Sequence, residues 1–345
     1  MNVRVLEEHA EWHAGDVADP AQYTEVFSAD ELDQLDRALA HVRPRADDML
    51  SIGKGDFPLG SLAQRLKRVE HELINGRGIV VLRGVDRDRY DNDEMCLLYW
   101  GIGMHLGRPW AQNHKGHLLG DVSDQGKGLS DPTARGNELG TVGLPYHSDG
   151  SDLVGLMCLQ TGTEGGESMV CNALAIHNDM VRQSPELAEA LYEPQPYDFR
   201  GEQRKGGKPF YTMPVFSEWN GRLFIRYIRP YILASQRHPE APRIGATAEQ
   251  AMQRLDAMTE DPIYQVEMAF APGDMQFINN YHVLHGRKPY QDDPEGGRVR
   301  HLKRLWLETE VLAARPPHFQ NNSRTHWSDK ASISRLDRTT ATRPS

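Results

Sequence analysis

Cysteine is scarce in this chain: Cys96, Cys158 and Cys171 are the only three, an odd number at wide spacings. That excludes a disulfide framework and a cysteine-rich zinc site, and makes a reducing cytoplasm the expected compartment. Long apolar runs are missing as well. No window approaches the roughly 18 uninterrupted apolar residues of a membrane helix. The opening Met-Asn-Val-Arg-Val-Leu-Glu-Glu lacks the apolar core of a signal peptide. There is no basic excess: 39 Lys and Arg face 49 Asp and Glu, a formal charge of -10. Such a balance argues against nucleic acid or an anionic membrane as partner and leaves a small molecule as the expected one. No solenoid-type repeat and no Pro/Ser linker divides the 345 residues, so one domain with helical decoration is expected.

What is present has clear local patterning. Ser28-Ala-Asp-Glu opens a helix with a capping-box signature, expected over about 29–40. Leu62, Leu66, Val69 and Leu73 recur at helical spacing, and Asn75-Gly76-Arg77-Gly78 ends that helix. Ile79-Val80-Val81-Leu82 reads as a strand, 91–107 as a helix, and 153–159 and 168–171 as strands. Residues 110–143 are rich in Gly, Asp, Asn and His with weak periodicity, the pattern of long substrate-contacting loops. Further on, strands are expected at 223–227, 264–270, 275–278 and 304–307, with helices at 173–191, broken near Pro185, and 247–259.

Three clusters carry chemistry. In Leu144-Pro-Tyr-His147-Ser-Asp149-Gly150, His147 and Asp149 stand two apart, so on an extended backbone both point to one side and can grip one metal ion. About 130 residues on, Asn279-Asn280-Tyr281-His282-Val283-Leu284-His285-Gly286-Arg287 offers a third ligand, His282 or His285. Two histidines and one carboxylate leave adjacent coordination positions open, the arrangement that suits non-haem Fe(II) oxygen chemistry. Arg300 and Arg304, four apart, share a strand face, and a guanidinium forks onto a carboxylate with two parallel hydrogen bonds. The plainer reading of those arginines is a solvated basic edge strand, which Leu305-Trp306-Leu307 disfavours by marking the strand as partly buried.

The order His147-x-Asp149, Gly165-Gly166-Glu167-Ser168, Asn280-x-x-x-x-His285, Arg300 and Arg304 resembles the taurine dioxygenase and clavaminate synthase-like superfamily. The similarity runs from about Gly76 to Leu307. It implies a mainly β fold with helical decoration, built on a double-stranded β-helix (jelly-roll) core. Residues 1–75 would be helical decoration packed on that core. Residues 76–310 would form the oxygenase core with an insert at 193–270, and 311–345 a peripheral tail.

The resemblance also implies an Fe(II)- and 2-oxoglutarate-dependent oxygenase that consumes O2, releases succinate and CO2, and oxidises a substrate C–H bond. Hydroxylation of an amino acid, organic acid or natural-product intermediate is the expected outcome. Carried over by position, His147, Asp149 and His285 are the iron ligands, since the family places the last ligand five residues after the counterpart of Asn280. His282 becomes a packing neighbour. Ser168 and Arg300 correspond to the groups that hold the distal carboxylate of 2-oxoglutarate, and Arg304 to a position that in some members contacts an anionic group of the substrate. Related halogenases carry a small residue where this chain has Asp149, so oxygenation is expected. The competing class is a cupin-like metal isomerase or binding protein on the same scaffold, which has no use for a distal carboxylate clamp.

Overall fold

The fold is seen in a computed structural model that describes residues 3–8, 10–128, 131, 134–140, 142–312, 314–320 and 331–333. The helices begin where the sequence supplies caps. Ser28 Oγ accepts from the Glu31 N–H at 3.3 Å while the Glu31 carboxylate takes the Ser28 N–H, and Ala29–Val42 follows. Asp91 and Glu94 form the same reciprocal cap for Asn92–Leu106, a helix buried on nearly all sides. Leu62–Asn75 buries Leu62, Leu66, Val69 and Leu73, the stripe legible in the sequence.

Among the described residues, two sheets face each other. The larger runs, in spatial order, Thr24–Val26, Ile79–Arg83, Met275–Asn279, Leu153–Gln160, His301–Glu308, His117–Val122 and Ser332–Ile333, with Arg108–Pro109 pairing onto His301–Glu308. The smaller is Val266–Met268, Ser168–Asn172, Val283–Arg287 and Leu144–His147. Period-two alternation decides which side chains meet. Ile79, Val81, Val154, Ile278 and Trp306 from one sheet, and Val170, Val266, Met268 and Val283 from the other, fill the space between them. Val80, Leu82, Leu153, Phe277, Leu305 and Leu307 face the opposite way, onto the helices that precede residue 107. Tyr146, Cys171 and Leu284 on the outer face of the smaller sheet are covered by the helices and hairpins of residues 173–259. This is the expected double-stranded β-helix, mainly β with helices outside.

Several boundaries differ from the sequence reading. The expected 264–270 strand contracts to Val266–Met268, because the chain is already turning towards Pro272-Gly273. The expected 304–307 strand extends to His301–Glu308, and 223–227 shifts to Arg222–Ile225 in a hairpin with Phe216–Trp219. Thr24–Val26, an edge strand of three mostly exposed residues, carries too little pattern to be read in advance. Of residues 311–345, positions 313, 321–330 and 334–345 lie outside the described residues. Leu312 and Phe319 are buried, and Arg315 pairs with the buried Asp152 at 3.0 Å. Among the described residues, no helix is long and apolar enough to cross a membrane.

Candidate metal and cosubstrate site

The adjacent antiparallel strands Leu144–His147 and Val283–Arg287 place His147 directly across from His285. The two imidazoles stand with ring centroids 4.3 Å apart, which is how ligands 138 positions apart along the chain become neighbours. Asp149 lies just beyond the end of the first strand. Its Oδ1 is 3.8 Å from His147 Nε2 and its Oδ2 is 3.8 Å from His285 Nε2. Those separations are too long for hydrogen bonds. They are short enough for donors about 2.1 Å from one shared ion. All three residues are buried, and their ligand atoms lie within 4.8 Å of one another.

The surroundings prepare these atoms for a cation. His147 Nδ1 donates to the Pro145 carbonyl at 2.9 Å, so the lone pair sits on Nε2. Burial, reinforced by the neighbouring His285, pushes the His147 pKa down to about 3 and keeps the ring neutral. Burial opposes ionisation of Asp149, yet the Arg304 guanidinium beside it holds its carboxyl well below the usual range. Arg304 Nη1 donates to Asp149 Oδ2 at 3.2 Å and the Trp306 indole N–H donates to the same oxygen at 2.9 Å.

The backbone that presents Asp149 is also fixed. Asn280, fully buried, accepts from the Asp149 N–H at 2.6 Å and donates to the carbonyls of Asp149 and Ser151 at 2.8 Å each. Arg226 Nη1 donates to the carbonyls of Ser148 and Asp149, and Ser148 Oγ accepts from the Tyr227 N–H at 2.9 Å.

A second, cationic end lies deeper between the sheets. His147, His285, Ser168, Arg287, Arg300 and Arg304 line one small cavity of about 40 Å³. Arg300 and Arg287 are both buried, and among the described residues neither forms an ion pair with a carboxylate. Arg300 Nη2 donates to the Gly166 carbonyl at 3.1 Å, while its Nη1 is buried without a partner. Arg287 Nη2 donates to the carbonyls of Leu139, Gly140 and Val142, and its Nε and Nη1 are likewise unanswered. The two guanidiniums stack on Tyr290, 5.0 and 4.7 Å from its centroid. Burial and the Arg300 charge push the Arg287 pKa down to about 10.

Gly166, at φ +79, lets the chain pass this close: a Cβ there would meet Arg300 Nε at 2.7 Å. Ser168 is buried, with Oγ 3.3 Å from Gln276 Oε1. Buried cations with unsatisfied N–H groups are costly unless an anion completes them, so this end fits the distal carboxylate of 2-oxoglutarate.

All six residues singled out in the sequence therefore converge. His282 does not join them. It is buried elsewhere, with Nε2 3.4 Å from Glu8. Sequence reasoning missed Arg287 and Trp306 as site residues, although each stands two positions from one that was identified, on the same strand face. It also missed Gln112, whose Oε1 accepts from Arg304 Nε at 2.8 Å. That residue sits in a loop without periodicity.

A jelly-roll that buries two imidazoles and a carboxylate beside a guanidinium that no carboxylate among the described residues pairs with defines the class of non-haem Fe(II), 2-oxoglutarate-dependent oxygenases. Residues 41–306 match the family described as "Taurine catabolism dioxygenase TauD, TfdA family", and the chain belongs to it. It is similar to FR-33289 synthase of Streptomyces rubellomurinus (strain ATCC 31215), at 29% identity over 330 residues that cover 93% of this chain and 94% of the relative. It is 32% identical over 231 residues to uridine-5'-phosphate dioxygenase of Amycolatopsis sp, covering 63% of this chain and 79% of that one. In fold it resembles the crystal structure of the non-heme iron oxygenase OrfP in complex with Fe and alpha-ketoglutaric acid. The TM-score is 0.62 at 19% identity, covering 84% of this chain and 95% of that one. The protein is an Fe(II)- and 2-oxoglutarate-dependent oxygenase, which removes the cupin-like alternative.

Proposed function

We propose that His147, Asp149 and His285 hold the Fe(II), that Ser168 and Arg300 hold the far carboxylate of 2-oxoglutarate, and that Arg304 meets the substrate. The observation that carries this reading is the approach of three buried ligand atoms within 4.8 Å of one another, next to a cavity in which Arg300 Nη1 has no partner. When bound, iron with 2-oxoglutarate and O2 supplies the oxidative decarboxylation that drives hydroxylation of a substrate C–H bond.

The chain's own groups prepare for that chemistry. His147 stays neutral and correctly tautomerised through the Pro145 carbonyl. Arg304 and Trp306 engage Asp149 Oδ2 and orient the carboxylate. Arg287, which lines the small cavity, holds the neighbouring chain by donating to the carbonyls of Leu139, Gly140 and Val142.

Substrate access is through a cavity of about 190 Å³ lined by His147, Asp149, Arg304, Arg135, Arg200 and Tyr231, among others. A small organic molecule fits there, of the amino-acid, organic-acid or natural-product-intermediate kind. Relatives that make FR-33289 or oxidise uridine-5'-phosphate support such a substrate. Three buried cysteines without disulfides support a cytoplasmic setting.

The test is iron content and succinate release in Asp149→Ala and His285→Ala. Each is expected to purify folded, with iron and 2-oxoglutarate-dependent succinate release reduced to background. Full iron retention and turnover in either variant would reject the ligand assignment.

A further inference from the structure

The cavity beside His147 and Asp149 does not end at its walls. Arg135, Asn137, Arg200 and Arg304 also line a larger outer cleft of about 660 Å³. We propose that this cleft receives the far end of the substrate, and that this end is a tetrahedral phosphate- or phosphonate-type oxyanion held by Arg200 and Lys115. The assignment rests on the reading of the inner cavity as the substrate site.

Charge accounting within the cleft carries the argument. Its acids are engaged by other groups. Glu202 takes Arg135 at 2.8 Å and His114 at 2.9 Å. Glu138 takes Lys127 at 2.8 Å. Asp121 takes Lys303 and His301 at 2.6 Å each. Asp131, on the inner wall, also has a partner. What remains is cationic: among the described residues, no carboxylate pairs with Arg200 or with Lys115. A guanidino or ammonium end would therefore enter among Arg304, Arg200 and Lys115 with no acid left to receive it.

Arg200 is built for this position. Its backbone is left-handed, at φ 54, a conformation unfavourable for a non-glycine residue that persists only where neighbours enforce it. The buried Asp198 carboxylate accepts its main-chain N–H and fixes the turn. The guanidinium lies 5.2 Å from the Tyr231 centroid and Nη2 donates to the Asp131 carbonyl at 3.2 Å, leaving the buried Nε without a partner. A cation held this firmly and lacking a counter-charge suits an oxyanion. With Lys115 a second cation lining the same cleft, a dianion gains more than a carboxylate.

The test uses four probes that share one ring: phenyl phosphate, phenylphosphonate, benzoate and benzamidine. Each is titrated calorimetrically into anaerobic enzyme loaded with Fe(II) and 2-oxoglutarate. The phosphoryl probes are expected to bind at least about tenfold tighter than benzoate, and benzamidine not at all. The tighter of the two distinguishes a phosphate ester from a phosphonate. Arg200→Glu should weaken phosphoryl binding at least about tenfold, and Arg200→Lys should retain most of it. The visible charge-transfer band of the Fe(II)–2-oxoglutarate complex should stay intact in both variants. Benzamidine binding as tightly as phenyl phosphate, or unchanged phosphoryl affinity in Arg200→Glu, would overturn the assignment while the band leaves the oxygenase reading standing. Absence of the band from the unaltered enzyme would instead bring down the oxygenase site and this assignment with it.

Discussion

The loop that bears Asp149 is held by Asn280, Arg226 and Ser148, and its carboxylate by Arg304 and Trp306, whereas Arg287 and Arg300 at the other end of the site carry N–H groups that no described residue answers. The first region is organised by the protein itself and offers a cation its ligands in nearly final positions. The second is left electrostatically incomplete. Its two buried guanidiniums share the Tyr290 ring and, among the described residues, have no carboxylate counter-ion. One end spends folding energy on geometry, and the other stores an unmet demand for negative charge. Variants in the two regions should therefore change stability in opposite directions, even though both impair the enzyme.

The widest separation is expected at Arg300. Arg300→Met keeps most of the volume and removes an unpaired buried cation next to another. The apparent 2-oxoglutarate requirement should rise at least about 100-fold, consistent with the roughly 2–5 kcal/mol lost when one member of a buried charge pair is removed. Iron content should stay near normal. The melting temperature without 2-oxoglutarate should be unchanged or higher, because the Gly166 bond lost is offset by relief of the desolvated charge. Added 2-oxoglutarate should raise the melting temperature of the unaltered protein and not of the variant. An intact cosubstrate-induced shift in Arg300→Met would erase the contrast.

How far the sequence revealed this contrast depends on how each part is positioned. His147, Asp149, Ser168, His285, Arg300 and Arg304 lie on or beside regular strands, where period two and local turns decide the facing, so the pattern carries real spatial information. The helices at 29–42, 62–75 and 92–106 were legible for the same reason, through caps and apolar spacing. Trp306 was noticed only as a sign of burial, although its spacing from Arg304 placed it on the ligand-facing side. Gln112, Arg135 and Arg200 lie in loops whose paths are decided by contacts with distant segments, such as Arg135 with Glu202 and Arg200 with Asp131. No local periodicity encodes those meetings. Arg304 shows the remaining limit. The family resemblance pointed it at substrate, and the structure also gives it a bond to Asp149 that spacing could not reveal.

On the organised side, Asn280 is the member whose loss should be felt by the fold itself. Its side-chain amide is fully buried and makes three hydrogen bonds to the main chain of residues 149–151. Asn280→Ala leaves an N–H and two carbonyls buried without those partners, at about 2–3 kcal/mol of stability. Chemical denaturation should show that loss in the metal-free protein, where Arg300→Met shows none. Asn280→Asp, which keeps the acceptor for the Asp149 N–H but turns a buried carboxylate oxygen onto the two carbonyls, should be at least as destabilised. Equal stability of Asn280→Ala and the unaltered protein would mean that the loop is held by Arg226 and Ser148 alone.

The mildest change tests whether organisation of the carboxylate matters separately from organisation of the loop. Trp306→Phe keeps an aromatic ring between the sheets and removes one N–H, the 2.9 Å donor to Asp149 Oδ2. Arg304 still bonds the same oxygen, so the carboxylate stays ionised but is held by one side-chain donor instead of two. Loss of such a partner behind a metal ligand lowers metal affinity by about 10- to 100-fold, and the surviving Arg304 bond puts the expectation at the low end, near tenfold. Competition for Fe(II) against a chelator of known affinity measures it directly. The 2-oxoglutarate requirement at saturating iron should not move, since Arg300 and Arg287 are untouched. A variant that loses cosubstrate affinity and iron affinity equally would show that the two ends act as one unit.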